Sequence, residues 1–206
     1  MVEMNLLAFE TSTRRLSVAL FYEGGIIERA EVLPNGGSER LLPWVKELLL
    51  EAGIELSDLN GIAFGIGPGS FTGLRLAAGC AQGLAYGLNI PVVGVGTLEA
   101  VALESGKTRV IACLDARMNE VYSAAYEEGR EVLAPSVTSP ERIPQPLGDG
   151  WVKCDDVLPT ARAIATLAAP RLQRGEGVAA ALAIPIYVRD KVAKTTAERL
   201  AEGGDR

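Results

Sequence analysis

The chain contains no histidine. That absence excludes Ser-His-Asp and Cys-His catalysis and any histidine-ligated metal; a carboxylate-only magnesium site stays open. Cysteine is scarce. Cys80, Cys113 and Cys154 stand far apart, form no CxxC pair and are odd in number, which favours reduced thiols in a cytosol over a disulfide framework. No stretch approaches about 18 uninterrupted apolar residues, so no membrane span is expected, and the acidic N-terminus lacks the apolar run of a signal peptide. Aromatics make up 5% of the chain. Basic charge is in deficit: the formal net charge is −6, most of it before residue 104. Such a surface does not gather phosphates, so the chain is not expected to hold nucleic acid alone.

What is present is a chain of 206 residues, 48% hydrophobic and with 23 glycines, enough for one large or two small domains with close backbone contacts. "MNLLAFE", "RLSVALFY" and "GIIERAEV" read as three strands, with Gly24-Gly25 as a hairpin signal. "NGG" at 35–37 reads as a loop. A helix is expected from Ser38 to Ala52, because Leu41, Leu42, Val45, Leu48, Leu49 and Ala52 follow the 3.6 period, Ser38 can cap it and Gly53 follows it. Then come a strand "GIAFGIG", a helix in the following segment, a strand "IPVVGVG" and a helix near 97–104. The second half is expected to repeat that order. Its strands are "RVIACLDA", "EVYSAAYEEG" and "REVLA", followed by a polar, proline-rich stretch at 135–147, "GDGWVK", a helix around 158–173, "IPIYVR" and a terminal helix. Glu10 and Asp115 end the first strand of each half, and "FYEGG" echoes "AYEEG". This pattern made twice predicts two ribonuclease-H-like α/β lobes in the actin/Hsp70/sugar-kinase (ASKHA) architecture. The lobes are expected at 1–104 and 105–206.

The segment "GIGPGSFTGLRLAAGCAQGLAYG" at 65–87 opens like a phosphate loop and continues like a helix, yet it carries interior glycines that cost roughly 1 kcal/mol each relative to alanine. A P-loop needs Lys and Ser/Thr after its last glycine, where Leu74 and Arg75 stand; a dinucleotide fingerprint needs glycine where Ser70 or Thr72 stands. Bare amides at the helix start can still hold an anion. Leu74, Ala77, Ala78, Ala81, Leu84, Ala85 and Leu88 form one apolar stripe; Leu76, Cys80, Gly83 and Gly87 form a second. A helix apolar on two sides either is wholly internal or meets a second helix at close range. The 38–52 helix carries Trp44 and Leu50 off its core stripe, which favours a helical interface; core packing under the second lobe is the other reading.

Two turns would face the cleft between such lobes. "ETSTRR" and "DARMNE" contain no glycine, so β-carbons crowd both. Thr11 and Ser12 can bond a phosphate or satisfy turn amides. Glu10 and Asp115 are candidates for a facing acid–base pair, and Gly148 and Gly150 for a worn adenosine loop or a plain turn.

Several segments resemble, in order, the signatures of the bacterial TsaB (YeaZ) family: "LLAFETSTRRLSVAL", "SERLLPWVKELL", "GIGPGSFTGLRLAAGCAQGLAYGLNIPVVGVGTLEAVA", "DARMNEVYSAAY" and "PIYVRDKVAK". "GPGSFTGLR" is the most specific of these. The resemblance implies a two-lobed relative of TsaD, the enzyme that transfers a threonylcarbamoyl group to N6 of the adenosine 3′ of the anticodon in tRNAs reading codons that start with A. It implies a non-catalytic, dimerising subunit in the cytoplasm. The partners it implies are TsaD in a heterodimer, TsaE, and a second copy in a homodimer, with tRNA met only through the complex and no membrane. Ser38, Leu41, Leu42, Trp44, Val45, Leu48, Gly69, Phe71, Thr72, Gly73, Arg75, Leu76, Gly79, Cys80 and Gly83 are the implied interface residues. No resident cofactor or metal is implied beyond weak or shared ATP or ADP with magnesium, for which Glu10, Thr11, Ser12, Asp115, Gly148 and Gly150 are the vestigial candidates. The sequence departs from the family at Glu10, where Asp is common, and at Gly37, where His is frequent. The alternative function is an independent actin-like ATPase or phosphotransferase.

Overall fold

The computed structural model describes residues 4–33 and 37–189. Strands β1 (Leu6–Glu10), β2 (Arg15–Tyr22) and β3 (Gly25–Val32) form an antiparallel meander. Helix α1 (Ser38–Ala52), β4 (Gly61–Gly67), α2 (Phe71–Leu88), β5 (Val92–Gly96) and α3 (Thr97–Ser105) follow. β4 lies parallel to β1 and β5 parallel to β4, giving a five-stranded sheet in the order β3-β2-β1-β4-β5. A second meander, β6 (Arg109–Arg117), β7 (Glu120–Glu127) and β8 (Arg130–Thr138), joins β9 (Val152–Cys154) in a four-stranded sheet ordered β8-β7-β6-β9. Helix α4 (Ala161–Gln173) comes last.

The run Leu6–Glu10 is buried at every position because β1 is the central strand of a sheet covered on both faces. Leu7 and Phe9 belong to the core under α1 and α2, whereas Leu6 and Ala8 belong to the core under α4. The two echoing hairpins match in the structure. Glu23-Gly24 and Glu128-Gly129 are both two-residue loops with positive φ throughout (49° and 74°, 50° and 75°), the geometry that suits the twist of paired strands.

The second half departs from the expected repeat. Only a 3₁₀ turn, Pro140–Arg142, and no α-helix stands between β8 and β9; the proline-rich stretch covers the small core of Ile111, Cys113, Ala125 and Ile143 instead. α4 packs on β1 and β2 of the first sheet, not on the second. Its face of Ala161, Ala163, Ala165, Ala168 and Ala169 lets the backbone lie close to that sheet. The Ser17 hydroxyl accepts the Ala161 N–H at 2.8 Å, and the Glu28 carboxylate accepts the Arg162 N–H at 3.0 Å, so β2 and β3 supply the partners of the helix start. α4 begins three residues later than expected because Thr160 caps it, its hydroxyl accepting the Ala163 N–H at 3.0 Å. Ile184–Arg189 is not a strand. The expected terminal helix, and part of the 35–37 loop, lie outside the described residues.

At the start of α1 the capping residue is Gly37, in a left-handed conformation with φ 92°, and Ser38 is the first helical residue rather than the cap. Ser70 caps α2 and accepts the Gly73 N–H at 3.4 Å.

Candidate functional site

The turn after β1 is sealed by the first turn of α2. The Ser70 N–H donates to the Ser12 carbonyl at 2.7 Å, and the Thr11 hydroxyl donates to the Gly73 carbonyl at 2.6 Å. A β-carbon on Gly73 would lie 1.9 Å from the Thr11 carbonyl oxygen, and one on Gly69 would lie 2.6 Å from the Ser12 β-carbon. Both glycines are needed for this close approach inside the chain, and both remain partly exposed. Thr11 and Ser12 are buried beneath them, and Thr11 fulfils the amide-and-carbonyl role of a turn residue rather than facing a ligand.

Glu10 is fully buried. Its Oε1 accepts the Ser12 N–H at 2.6 Å, while its Oε2 has no hydrogen-bond partner among the described residues and abuts Gly65, where a β-carbon would come within 2.0 Å. Burial pushes the Glu10 carboxyl above its ordinary pKa, with hydrogen bonding from Ser12 opposing. Asp115 differs in every respect. It is exposed, accepts the Arg117 N–H at 2.8 Å and pairs with the Arg117 guanidinium at 3.4 Å. A buried, unpaired carboxyl and an exposed, paired one do not make the expected acid–base pair. Gly148 and Gly150 sit in an exposed turn with φ 90° and 84°, tied to β6 by Arg109, which donates to the Asp149 carbonyl at 2.7 Å. That is the plain-turn reading.

A cavity of about 410 Å³ opens beside α3 and the β7–β8 hairpin, lined in part by Glu99, Leu103, Lys107, Tyr126 and Glu128. Its half-buried acid, Glu99, is already paired with Arg171, and burial raises the Tyr126 hydroxyl pKa well above the phenol range. Among the described residues, no three acids or cysteines are grouped as a metal cage.

The outward faces of α1 and α2 are different in kind. On α1, Leu41, Val45 and Leu48 are core residues of the first sheet and reach no outside surface, a correction to their expected interface role. They lie on the same 3.6-period stripe that meets β2, whereas Leu42, expected on that stripe, points outward and is 56% exposed. Leu50 is exposed, and Trp44 is half-buried at the margin. Ser38 is exposed.

On α2, Leu74, Ala77, Ala78, Ala81 and Ala85 are buried against the sheet as the stripe predicts. Leu84 and Leu88 are only half-buried. Phe71, Thr72, Arg75, Gly79, Gly83, Tyr86 and Gly87 face outward, with Leu76 and Cys80 half-buried along the margin. A β-carbon on Gly79, Gly83 or Gly87 would meet nothing within 4 Å. These three are spaced four apart, so they make one shallow ridge along the helix. Burial pushes the Cys80 thiol pKa up, so it stands on this face as a neutral group. Only one charged residue, Arg75, breaks this surface, and its guanidinium lies 3.9 Å above the Phe71 ring.

Sequence reasoning missed the neighbour of this face. Leu182, Ile184, Ile186 and Tyr187 are exposed beside α2, and Gln82 on α2 donates to the Ala183 carbonyl at 3.0 Å. The apolar run "IPIYVR" has the composition of a strand; its exposure at Ile184, Ile186 and Tyr187 has no periodic signature.

Two mixed sheets, each begun by an antiparallel meander and extended by parallel pairing, with helices between and over them, define a mixed α/β protein. The family model for TsaD, described as tRNA N6-adenosine threonylcarbamoyltransferase, matches residues 31–168. A curated Escherichia coli protein, named tRNA threonylcarbamoyladenosine biosynthesis protein TsaB, is 37% identical over 92% of this chain and 96% of its own length. The protein of the same name in Haemophilus influenzae is 34% identical over 93% and 96%. The solved structure of YeaZ from Pseudomonas aeruginosa superposes with a TM-score of 0.83 at 41% identity, covering 89% of this chain and 99% of that one. The chain belongs to the TsaB (YeaZ) family of tRNA threonylcarbamoyladenosine biosynthesis proteins. No helix among the described residues is long and apolar enough to cross a membrane.

Proposed function

We propose that the chain is a non-catalytic docking subunit of the machinery that threonylcarbamoylates N6 of the adenosine 3′ of the anticodon in tRNAs reading codons that start with A. Its partner is the transferase TsaD, with TsaE as a further component, in the cytoplasm; a second copy of the chain competes for the same surface. One observation carries this reading: Gly79, Gly83 and Gly87 leave open space on an outward, nearly uncharged helix face. In the isolated chain these glycines only weaken the helix. Against another helix they permit close backbone approach, and Phe71, Leu76, Trp44 and Leu42 supply apolar contact around them. The match to the TsaD family model supports a partner of related fold, because like lobes can pair through equivalent helices. A stable pairing of this kind buries about 800 Å² per partner. Nucleotide turnover has less support, since Glu10 is buried and the turn beside it is sealed by α2.

The test is Gly83→Leu. The substitution leaves the isolated chain at least as stable, since leucine is the better helix former by roughly 0.8 kcal/mol. It weakens TsaD binding about a hundredfold, the loss expected for a blocked interface centre. Titration calorimetry with purified TsaD reads the affinity, and reconstituted tRNA modification reads the consequence. Unchanged affinity for TsaD in Gly83→Leu would falsify the docking assignment.

A further inference from the structure

The segment after the short 3₁₀ turn Ala180–Leu182 touches both halves of the molecule. Ile186 donates its N–H to the Ile66 carbonyl at 2.8 Å, at the end of β4, and a β-carbon on Gly67 would lie 2.8 Å from the Ile186 carbonyl. Tyr187 packs against Phe71 with ring centroids 5.5 Å apart, and its hydroxyl accepts from Arg75 Nε at 3.4 Å. Two residues further on, Arg189 reaches the turn between β6 and β7. It donates to the Ala116 carbonyl at 3.0 Å, contacts the Met118 sulfur at 3.4 Å and pairs with the Glu120 carboxylate. The Arg189 side chain is only 16% exposed.

The turn it grips is strained. Arg117, Met118 and Asn119 follow one another in left-handed conformations, with φ of 64°, 55° and 58°. Met118-Asn119 is a two-residue hairpin loop that needs positive φ, but unlike the other two hairpins it has no glycine, and the left-handed Arg117 before it adds strain that neighbouring contacts must offset. Inside the turn Asp115 accepts the Arg117 N–H; from outside, Arg189 supplies three further contacts. The far end of the same short segment is clamped on Phe71 and Arg75, on the outward face of α2.

We infer that residues 183–189 form a strap that couples the outer face of α2 to the β6–β7 turn, so that a change at Phe71 is felt at Arg117–Asn119. Its use rests on the proposed docking: a partner seated on Phe71 meets Tyr187 as well, and the strap carries that contact to the second sheet. Thermodynamic coupling of this kind is reciprocal, so the seated turn also presents Tyr187 to the partner.

Hydrogen exchange of the 116–120 amides in the full chain tests the strap without any partner. Phe71→Ala and Arg189→Ala each speed that exchange about fivefold, and in the double variant Phe71→Ala adds nothing. Thr72→Ala, the adjacent outward substitution, leaves the exchange unchanged. Absence of a Phe71→Ala effect at 116–120, or additive effects in the double variant, overturns the strap. With TsaD added, exchange at 116–120 slows in the wild-type chain and not in Arg189→Ala; binding without this slowing also overturns it. Failure of the wild-type chain to bind TsaD sinks the docking reading instead, and the partner-free measurements then decide the strap by themselves.

Discussion

The two ends of α2 use the same residue for opposite ends. At the N-terminal end, Gly69 and Gly73 are pressed against Ser12 and Thr11, and Gly65 on the preceding strand is pressed against Glu10; a β-carbon at any of the three would meet another atom well inside contact distance. At the C-terminal end, Gly79, Gly83 and Gly87 face empty space. The first group is required by the isolated fold. The second weakens it and calls for an explanation outside the chain. A glycine in a helix thus marks close approach only when something is there to approach, and the spacing of glycines along the sequence does not say on which side that neighbour lies.

Substitutions can break or sharpen this contrast. The largest effect is expected at the sealed end, where Gly73→Ala drives a β-carbon into the Thr11 carbonyl; it destabilises the chain by about 3 kcal/mol in urea unfolding. Next comes Glu10→Gln, read across pH. Below the ordinary carboxylate value of 4.5 both folded and unfolded chains hold the Glu10 proton. As pH rises, the unfolded chain ionises while buried Glu10 stays protonated, so wild-type stability falls until pH passes the raised folded value. Gln has no proton to lose. The Glu10→Gln chain should therefore track wild type near pH 4 and exceed it increasingly above pH 5 in thermal melts; a constant difference across that window would refute the buried, protonated carboxyl.

The open end gives the smaller effects, with opposite sign. Gly83→Ala stabilises the isolated chain by about 1 kcal/mol, the intrinsic helix difference with nothing to clash against. Gly87→Ala, one residue from the helix end, gains less, about 0.5 kcal/mol, because the last turn frays. If Gly83→Ala destabilised the free chain, the open face would be occupied by part of the chain itself, and the contrast would collapse.

Much of the first sheet was legible in the sequence. Alternation and runs of apolar residues located β1 to β5, and the 3.6 period found the buried sides of α1 and α2, including Leu74, Ala77 and Ala81. The period put Leu41, Val45 and Leu48 on the buried stripe, but gave no warning that Leu42, on the same stripe, is exposed, since stripe edges depend on how the helix sits on its sheet. Nor did it say on which sheet α4 lies. An alanine-rich face fits any flat apolar sheet, and polar contacts help specify the first one: the Ala161 and Arg162 N–H groups donate to Ser17 and Glu28, and Arg171 donates to the Gly94 carbonyl of β5. The candidate site was legible as an apolar helix face and illegible in its margin, because the "IPIYVR" run, exposed at Ile184, Ile186 and Tyr187, has the composition of a strand. The acid–base reading of Glu10 and Asp115 was misled for a related reason: residue type placed them in parallel positions, and packing gave one to the interior and the other to solvent.

The return of α4 to the first sheet has a consequence for how this gene can be cut. A fragment ending at residue 105 would leave Leu6, Ala8, Ala19, Ala63, Val93 and Val95 bare on one whole side, and would clump rather than fold. The latter fragment would carry an alanine helix with no sheet to lie on. Although the chain reads as a tandem pair, one side of the first sheet is covered only when the later portion of the chain is present.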